Sequence, residues 1–329
     1  MEERVNISKV AKDLNLSVST VSRALSGKGR VSRETKHRVQ EYLRKYKLEP
    51  NSRGKRTRAK SGCLAIVLPA EQTEAACERY QALMVEALRI FTAAGYRSFV
   101  VLTEKGKLDA LYQLLEEEQV DGVLFTRYLE EETKEAKRMG IPFVTVGDSK
   151  SEICTVSFDE EKAAETFTNE LLRQNLMSIA VLTAENNTIK SAPAYRGIVR
   201  ALTGNYLILD RNRVFYGIRS ESDAITAVEK CLSMKVDVIC CMDDWVCRMV
   251  QSACARMKLN IPRDIQLASL HSSREFADSM LPVSCIWYDV HQLGQEAARL
   301  LLEQLSEELP VRKIRIGYEL HMKSSKRRI

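Results

Sequence analysis

The chain has 329 residues, 45% of them apolar and 29% charged, with 50 Lys and Arg against 44 Asp and Glu. That length suits two or three domains with large cores, and no run of about 18 apolar residues offers a membrane span. Residues 1–60 hold 17 basic and 6 acidic side chains while residues 61–329 hold 33 and 38, so a net charge of +6 conceals a basic head on a mildly acidic body.

A basic head is what phosphate contacts on nucleic acid require. Within it, Ile7, Val10, Ala11 and Leu14 follow the spacing of a helix with one buried stripe, and Asn6 is a good N-cap. A turn of about three residues precedes a second helix, capped by Ser17 and burying Val21, Ala24 and Leu25. Its other face is Val18, Ser19, Ser22 and Arg23, slim hydroxyls plus one long donor, which suits entry into a major groove. A third helix is expected from the cap Ser32 through Val39, Tyr42 and Leu43 to about Tyr46. The stretch Pro50-Asn51-Ser52-Arg53-Gly54-Lys55-Arg56-Thr57-Arg58 then reads as a cationic linker on phosphates, ending near Gly62.

From Cys63 strands and helices alternate. Strands are expected at Cys63–Leu68, Ser98–Leu102, Gly122–Phe125, Phe143–Val146 and Cys154–Phe158, with helices at Ala75–Ala94, Leu108–Glu118 and Glu130–Met139 between them. The rhythm restarts near 158 with helices 160–174, 192–203, 221–234 and 244–257 and strands 178–182, 213–216, 236–241 and 265–270. Such alternation predicts an α/β fold of two parallel-sheet, Rossmann-like lobes, with ligand in the cleft at the strands' carboxyl ends.

The nine cysteines are scattered without C-x-x-C spacing and the four histidines are widely spread, so no metal site or cofactor is expected and the thiols read as reduced, buried small side chains. No nucleophile elbow, Walker loop or dinucleotide fingerprint marks an enzyme. The start Met1-Glu2-Glu3-Arg4 lacks a signal-peptide apolar region, which predicts a cytoplasmic protein. A transport-associated binding protein would share the two lobes but needs export and no basic head.

These residues resemble the LacI–GalR family of bacterial transcription regulators. The matches are Val10-Ala11, Ser17-x-x-Thr20-Val21-Ser22-Arg23, Val31-Ser32-x-x-Thr35, Pro50-Asn51, Val120-Asp121-Gly122, Gly140-Ile141-Pro142, Ile261-Pro262-x-Asp264-Ile265, Leu293-Gly294 and the terminal Glu319-Leu320-x-x-Lys323. The resemblance implies a helix-turn-helix domain at 1–48, a hinge at 49–62 and an effector-binding, dimerising body at 63–329. The body would resemble periplasmic binding proteins, one lobe at 63–158 plus 286–312 and the other at 159–285 plus 313–329. It further implies a homodimer, nucleoid-associated, on a double-stranded pseudo-palindromic operator, controlled by a carbohydrate-like effector. Carried over by position, Val18, Ser19 and Arg23 would meet bases. Asn6, Ser17, Thr20, Ser22, Ser26, Asn51, Arg53, Lys55 and Arg56 would meet phosphates. Ser22 is alternatively a back-bonded helical serine.

The chain departs from that family in two places. Gly54-Lys55-Arg56-Thr57 stands where an Ala-Arg-x-Leu hinge helix wedges a leucine into the minor groove, so this hinge is expected to bind by charge with less bending. In the cleft, Ala194 replaces an arginine, Asp243-Asp244 replaces Asn-Asp, and Leu270-His271-Ser272 replaces an aromatic-Asp-Asp run. The remaining effector candidates are Asp148, Tyr195, Arg196, Asp243, Asp244, Trp245 and His271. Asp244 could instead cap the next helix with Trp245 packed at the lobe surface, and Asp159 is as readily a cap as a contact. A non-sugar ligand or a partner protein are the alternative inputs.

Overall fold

The structure is a computed structural model, and it describes residues 7–26, 32–45, 61–70, 74–104, 109–117, 120–149, 151–184, 189–190, 192–280, 282–306 and 310–323. It forms two compact units, Met1–Ala59 and Lys60–Ile329.

The smaller unit contains α1 (Ile7–Asp13), α2 (Val18–Ser26) and α3 (Arg33–Lys45). Val10, Ala11, Val21 and Val39 form its core, with Leu14, Leu16, Ala24 and Tyr42 packed around them. Two serines set the helix starts. Ser17 Oγ accepts from Thr20 N–H at 3.0 Å and Ser32 Oγ from Thr35 N–H at 3.1 Å, each satisfying a donor that the helix leaves open. After α1 the chain turns at Asn15, whose φ of +58° is a left-handed conformation that Asn tolerates. Arg38 donates to the Leu14 carbonyl at 3.1 Å and the Tyr42 hydroxyl to the Asp13 carboxylate, tying α3 to that turn.

The larger unit has two six-stranded sheets. The first contains β1 (Cys63–Pro69), β2 (Arg97–Thr103), β3 (Gly122–Phe125), β4 (Phe143–Val146), β5 (Thr155–Phe158) and β11 (Lys313–Ile316). Their order is β11-β5-β4-β3-β1-β2, and every pair is parallel. The second contains β6 (Ile179–Leu182), β7 (Val214–Phe215), β8 (Val238–Cys241), β9 (Gln266–Ser272), β10 (Val283–Tyr288) and β12 (Tyr318–His321). Its order is β12-β10-β9-β8-β6-β7, parallel except for β12 against β10. Strands β1, β3, β5, β6 and β8 are buried at every position, as parallel strands covered on both faces must be.

Helices α4 (Glu74–Ala93), α5 (Asp109–Glu116), α6 (Glu130–Arg138), α7 (Glu160–Arg173), α8 (Pro193–Gly204), α9 (Glu221–Ser233), α10 (Asp244–Arg256), α11 (Arg274–Asp278) and α12 (Val290–Ser306) supply that cover. Two glycines set close helix pairs. A Cβ on Gly294 would lie 2.7 Å from the Leu83 carbonyl oxygen, so α12 meets α4 backbone to backbone; on Gly197 it would lie 2.3 Å from the Glu161 carbonyl oxygen, joining α8 to α7.

The chain changes lobe between β5 and α7, between β10 and α12, and at Gly317 between β11 and β12. The last two changes correct the sequence expectation by about one short strand. Residues 286–288 belong with the second sheet because β10 pairs with β9, and 313–316 belong with the first because β11 pairs with β5. The segment returning to the first lobe is therefore 290–316 rather than 286–312.

Candidate DNA-reading helix and inter-lobe cleft

The periodicity of α2 separates its two faces. Val21 is fully buried, whereas Val18 is 52% exposed and Ser19 and Arg23 are exposed beside it. Val18 thus offers a half-open apolar surface beside the polar groups of this face. The hydroxyls of Ser17, Ser19 and Thr20 gather at the start of this helix, with Ser17 Oγ 2.9 Å from Ser19 Oγ and 2.7 Å from Thr20 Oγ1. Ser17 thus caps the helix while remaining exposed, which leaves it able to accept or donate at a phosphate. Asn6, Asn51, Arg53, Lys55 and Arg56, and the side chains of Ser22 and Ser26, lie outside the described residues.

The effector candidates spread over the carboxyl ends of the strands, but most have structural partners. Exposed Asp148, two residues beyond β4, accepts from Arg315 on β11 at 3.2 and 3.3 Å, and the same guanidinium lies 3.6 Å from Asp159. Arg196 donates to Glu161 at 2.9 Å, and Glu161 also meets Arg200 at 2.6 Å. Arg196 therefore staples α8 to α7. Its neighbour Tyr195 is half-buried against the core, and burial raises its phenol above the ordinary value. Asp159 caps α7 by accepting from Lys162 N–H at 3.3 Å.

Of the paired aspartates, Asp243 is the N-cap of α10, accepting from Val246 N–H at 2.9 Å. The sequence allowed Asp244 as that cap. Extended backbone at Asp243 (φ −150°, ψ 172°) decides the matter, because a cap residue must stand outside the helix. Asp244, buried in the first turn, accepts from Ser273 N–H at 3.1 Å and lies 3.5 Å from Arg248. Trp245 packs half-buried on the apolar cluster of the second lobe.

His271 is different. Its ring stacks on Tyr288 with centroids 4.7 Å apart and meets Phe158 edge-on at 6.3 Å, while Phe158 and Tyr288 lie 4.8 Å apart. Phe158 ends a strand of the first sheet, and Tyr288 ends a strand of the second, so this aromatic group spans the hinge. Burial, with the charge of Arg79 as a second cause, holds the imidazole well below 6.5 and hence neutral at pH 7. Burial likewise raises the carboxyl of Glu160, the first residue of α7, against the opposing pull of Arg79 and Arg196. Sequence reasoning missed Arg79, Phe158, Glu160 and Tyr288. The available signal was position: Phe158 and Tyr288 close apolar strands, and Arg79 is a cation one turn into a largely apolar helix.

Comparison with known proteins supplies the deciding observation. Residues 6–51 match the model of bacterial regulatory proteins of the lacI family, and residues 168–325 match that of the periplasmic binding protein-like domain. The head therefore carries a DNA-binding domain of the lacI type. Catabolite control protein A of Staphylococcus xylosus is 25% identical to it over 311 residues, covering 92% of this chain and 93% of the relative. Among solved structures, a complex of the transcriptional regulator CelR with cellobiose superposes with a TM-score of 0.70 at 18% identity, covering 98% of this chain and 100% of that one. A LacI-family regulator from Enterococcus faecium with bound ribose superposes at 0.66 with 16% identity, covering 81% and 99%. A lacI-type DNA-binding head joined to a core of the periplasmic binding protein kind makes the chain similar to transcriptional regulators rather than to enzymes. Among the described residues, no helix is long and apolar enough to cross a membrane.

Proposed function

We propose that the protein is a cytoplasmic repressor that binds a pseudo-palindromic operator as a homodimer. A small effector between its lobes would shift it between DNA-competent and incompetent forms. Residues 1–48 act as the reading head, 49–62 as a charge-driven hinge and 63–329 as the effector-binding, dimerising body. The observation that carries this reading is the open face of α2, where Val18, Ser19 and Arg23 stand exposed on a helix anchored by Val21. Arg23 is a bidentate donor suited to guanine, and the hydroxyls fix register on phosphate.

Dimerisation is supported by apolar surface on the first lobe. Val85 and Leu88 line a shallow apolar hollow on α4 with Arg89, Thr92 and Ala93, and the edge strand β2 exposes Phe99, Val100 and Leu102. A long apolar edge left open invites pairing with another chain. A carbohydrate-like effector is supported by the fold and by the sugars held by the CelR complex and the E. faecium regulator. Against an unmodified sugar site stands the structural use of Asp243 and Asp244, which favours a ligand of different chemistry.

The test is selection of a binding sequence from random duplexes, followed by gel shift with Arg23→Ala. Loss of one bidentate base contact should weaken the selected site by about 1–3 kcal/mol while leaving random-duplex binding little changed. Equal retention of both duplexes by the unaltered protein would overturn the reading.

A further inference from the structure

We infer that the hinge between the lobes receives a small ligand carrying a carboxylate or phosphate, held by Arg79, His271 and Tyr288; this rests on the effector reading and narrows it to an anion. The rings of His271 on β9 and Tyr288 on β10 meet there against Phe158 at the end of β5, within reach of the charges of Arg79 on α4 and Glu160 on α7. The charge of Arg79 acts on each of the other three, which places all four groups in one electrostatic neighbourhood.

Among the described residues, none of the four polar ends has a hydrogen-bond or ion-pair partner. The Tyr288 hydroxyl and His271 Nε2 are buried without a hydrogen bond, and Tyr288 is only 2% exposed. Among the described residues, Arg79 and Glu160 make neither hydrogen bond nor ion pair. A buried donor left unmade costs free energy, and proteins keep such groups where something else completes them.

Counting donors and acceptors selects the class. Arg79 offers five N–H groups, Tyr288 one O–H and a neutral imidazole one N–H; of the carboxylates whose charge reaches this group, burial raises Glu160 above its ordinary value, and Asp148 and Asp159 already face Arg315. The carboxylates that would hold the hydroxyls of a neutral sugar are already in use. Asp243 caps α10, Asp244 receives Ser273 N–H and faces Arg248, and Asp148 pairs with Arg315. A neutral polyol would leave the guanidinium uncompensated, whereas a carboxylate or phosphate matches its fork and uses the phenol and imidazole as further donors. The faces of Phe158 and Tyr288 remain for the carbon skeleton.

The experiment is calorimetric titration of the full-length protein with glucose 6-phosphate, gluconate, glucose and inorganic phosphate. It is repeated on Arg79→Gln and Tyr288→Phe, with thermal midpoints confirming that both variants fold. At least one charged sugar derivative should bind about tenfold or more tightly than glucose, and Arg79→Gln should erase that advantage. Tyr288→Phe, which removes one oxygen and keeps the ring, should weaken the same probe several-fold. Preference for glucose 6-phosphate or for gluconate names the source of the anion. Glucose binding as tightly as the charged probes, or an advantage that survives in Arg79→Gln, overturns the anion while leaving the effector cleft intact. Silence of every probe overturns it too, and operator gel shifts on the same samples then show whether DNA reading stands without a small ligand.

Discussion

Gly294 and Gly197 hold two helix pairs at separations that a methyl group would break. In both cases the obstacle is a neighbouring backbone carbonyl, which cannot rotate away as a long side chain can. Gly294→Ala should therefore cost about 1–3 kcal/mol, read as a lower urea midpoint. Gly204→Ala, at the open end of α8 with nothing within 4 Å, should cost nothing. The thiols obey the same logic of enclosure. All nine are free and eight are buried, and burial raises Cys231 and Cys240 to about 12 and Cys254 and Cys285 to about 11. Only Cys77 is partly open. A thiol-specific chromogenic reagent should thus modify one cysteine promptly in the native protein and the rest only on unfolding; prompt reaction at several would contradict the buried assignment. At this scale the sequence was legible where one residue type has one use, as at the caps Ser17 and Ser32. It was not legible at Asp243-Asp244, where either carboxylate suits a cap, nor at Arg79, Glu160 and Tyr288, whose proximity exists only after four elements have packed.

Elements bounded by strong punctuation emerged from the sequence with their ends in place. The strands β3 and β4 follow Asp121-Gly122 and Gly140-Ile141-Pro142, and their observed limits are those expected. The region from 274 to 316 was harder. The α12 segment carries a glycine that disguises its helical period, and β11 alternates charge with isoleucine as any exposed loop can. What α12 does is clear from its partner. Glu86 on α4 accepts from Gln295 Nε2 at 3.1 Å, meets His291 Nδ1 at 3.2 Å, and accepts from Arg89 at 3.0 Å. The bonds from Gln295 and His291 are the main causes that lower its carboxyl below the ordinary 4.5, against opposing burial. A depressed carboxyl stays charged in the fold where the unfolded chain binds a proton. Its stabilisation is present above about 4.5 and is lost as pH falls through the folded value. Glu86→Gln should lower stability at pH 7 and flatten its decline below pH 4.5 in acid titrations. An unchanged acid limb in the variant would show that Glu86 carries no such linkage.

Across the whole molecule the two units carry opposite charge, which the net figure of +6 hides. Phosphate affinity should reside in the first unit alone. The full chain is expected to be retained on heparin and to elute with salt, whereas a truncation beginning at Cys63 should pass through near neutral pH. Retention of the truncated body would move the polyanion surface out of the head. The fold class, two lobes of parallel sheet, followed from the strand–helix rhythm because buried parallel strands read as short apolar runs. The antiparallel β12 and the sites of the last two lobe changes did not, since they depend on which strand finds which neighbour.

Those lobe changes bear on how the protein is made. The outermost strand of the first sheet, β11, and that of the second, β12, are both drawn from the final stretch of sequence, after every other strand has been laid down. A growing chain on the ribosome can complete its small N-terminal helical unit early, since every contact there is local. Neither sheet can close its edge until residues 313–321 emerge from the exit tunnel. Birth of the body is therefore a single late event, and a nascent chain arrested at residue 300 presents two unfinished sheets to whatever chaperone attends it.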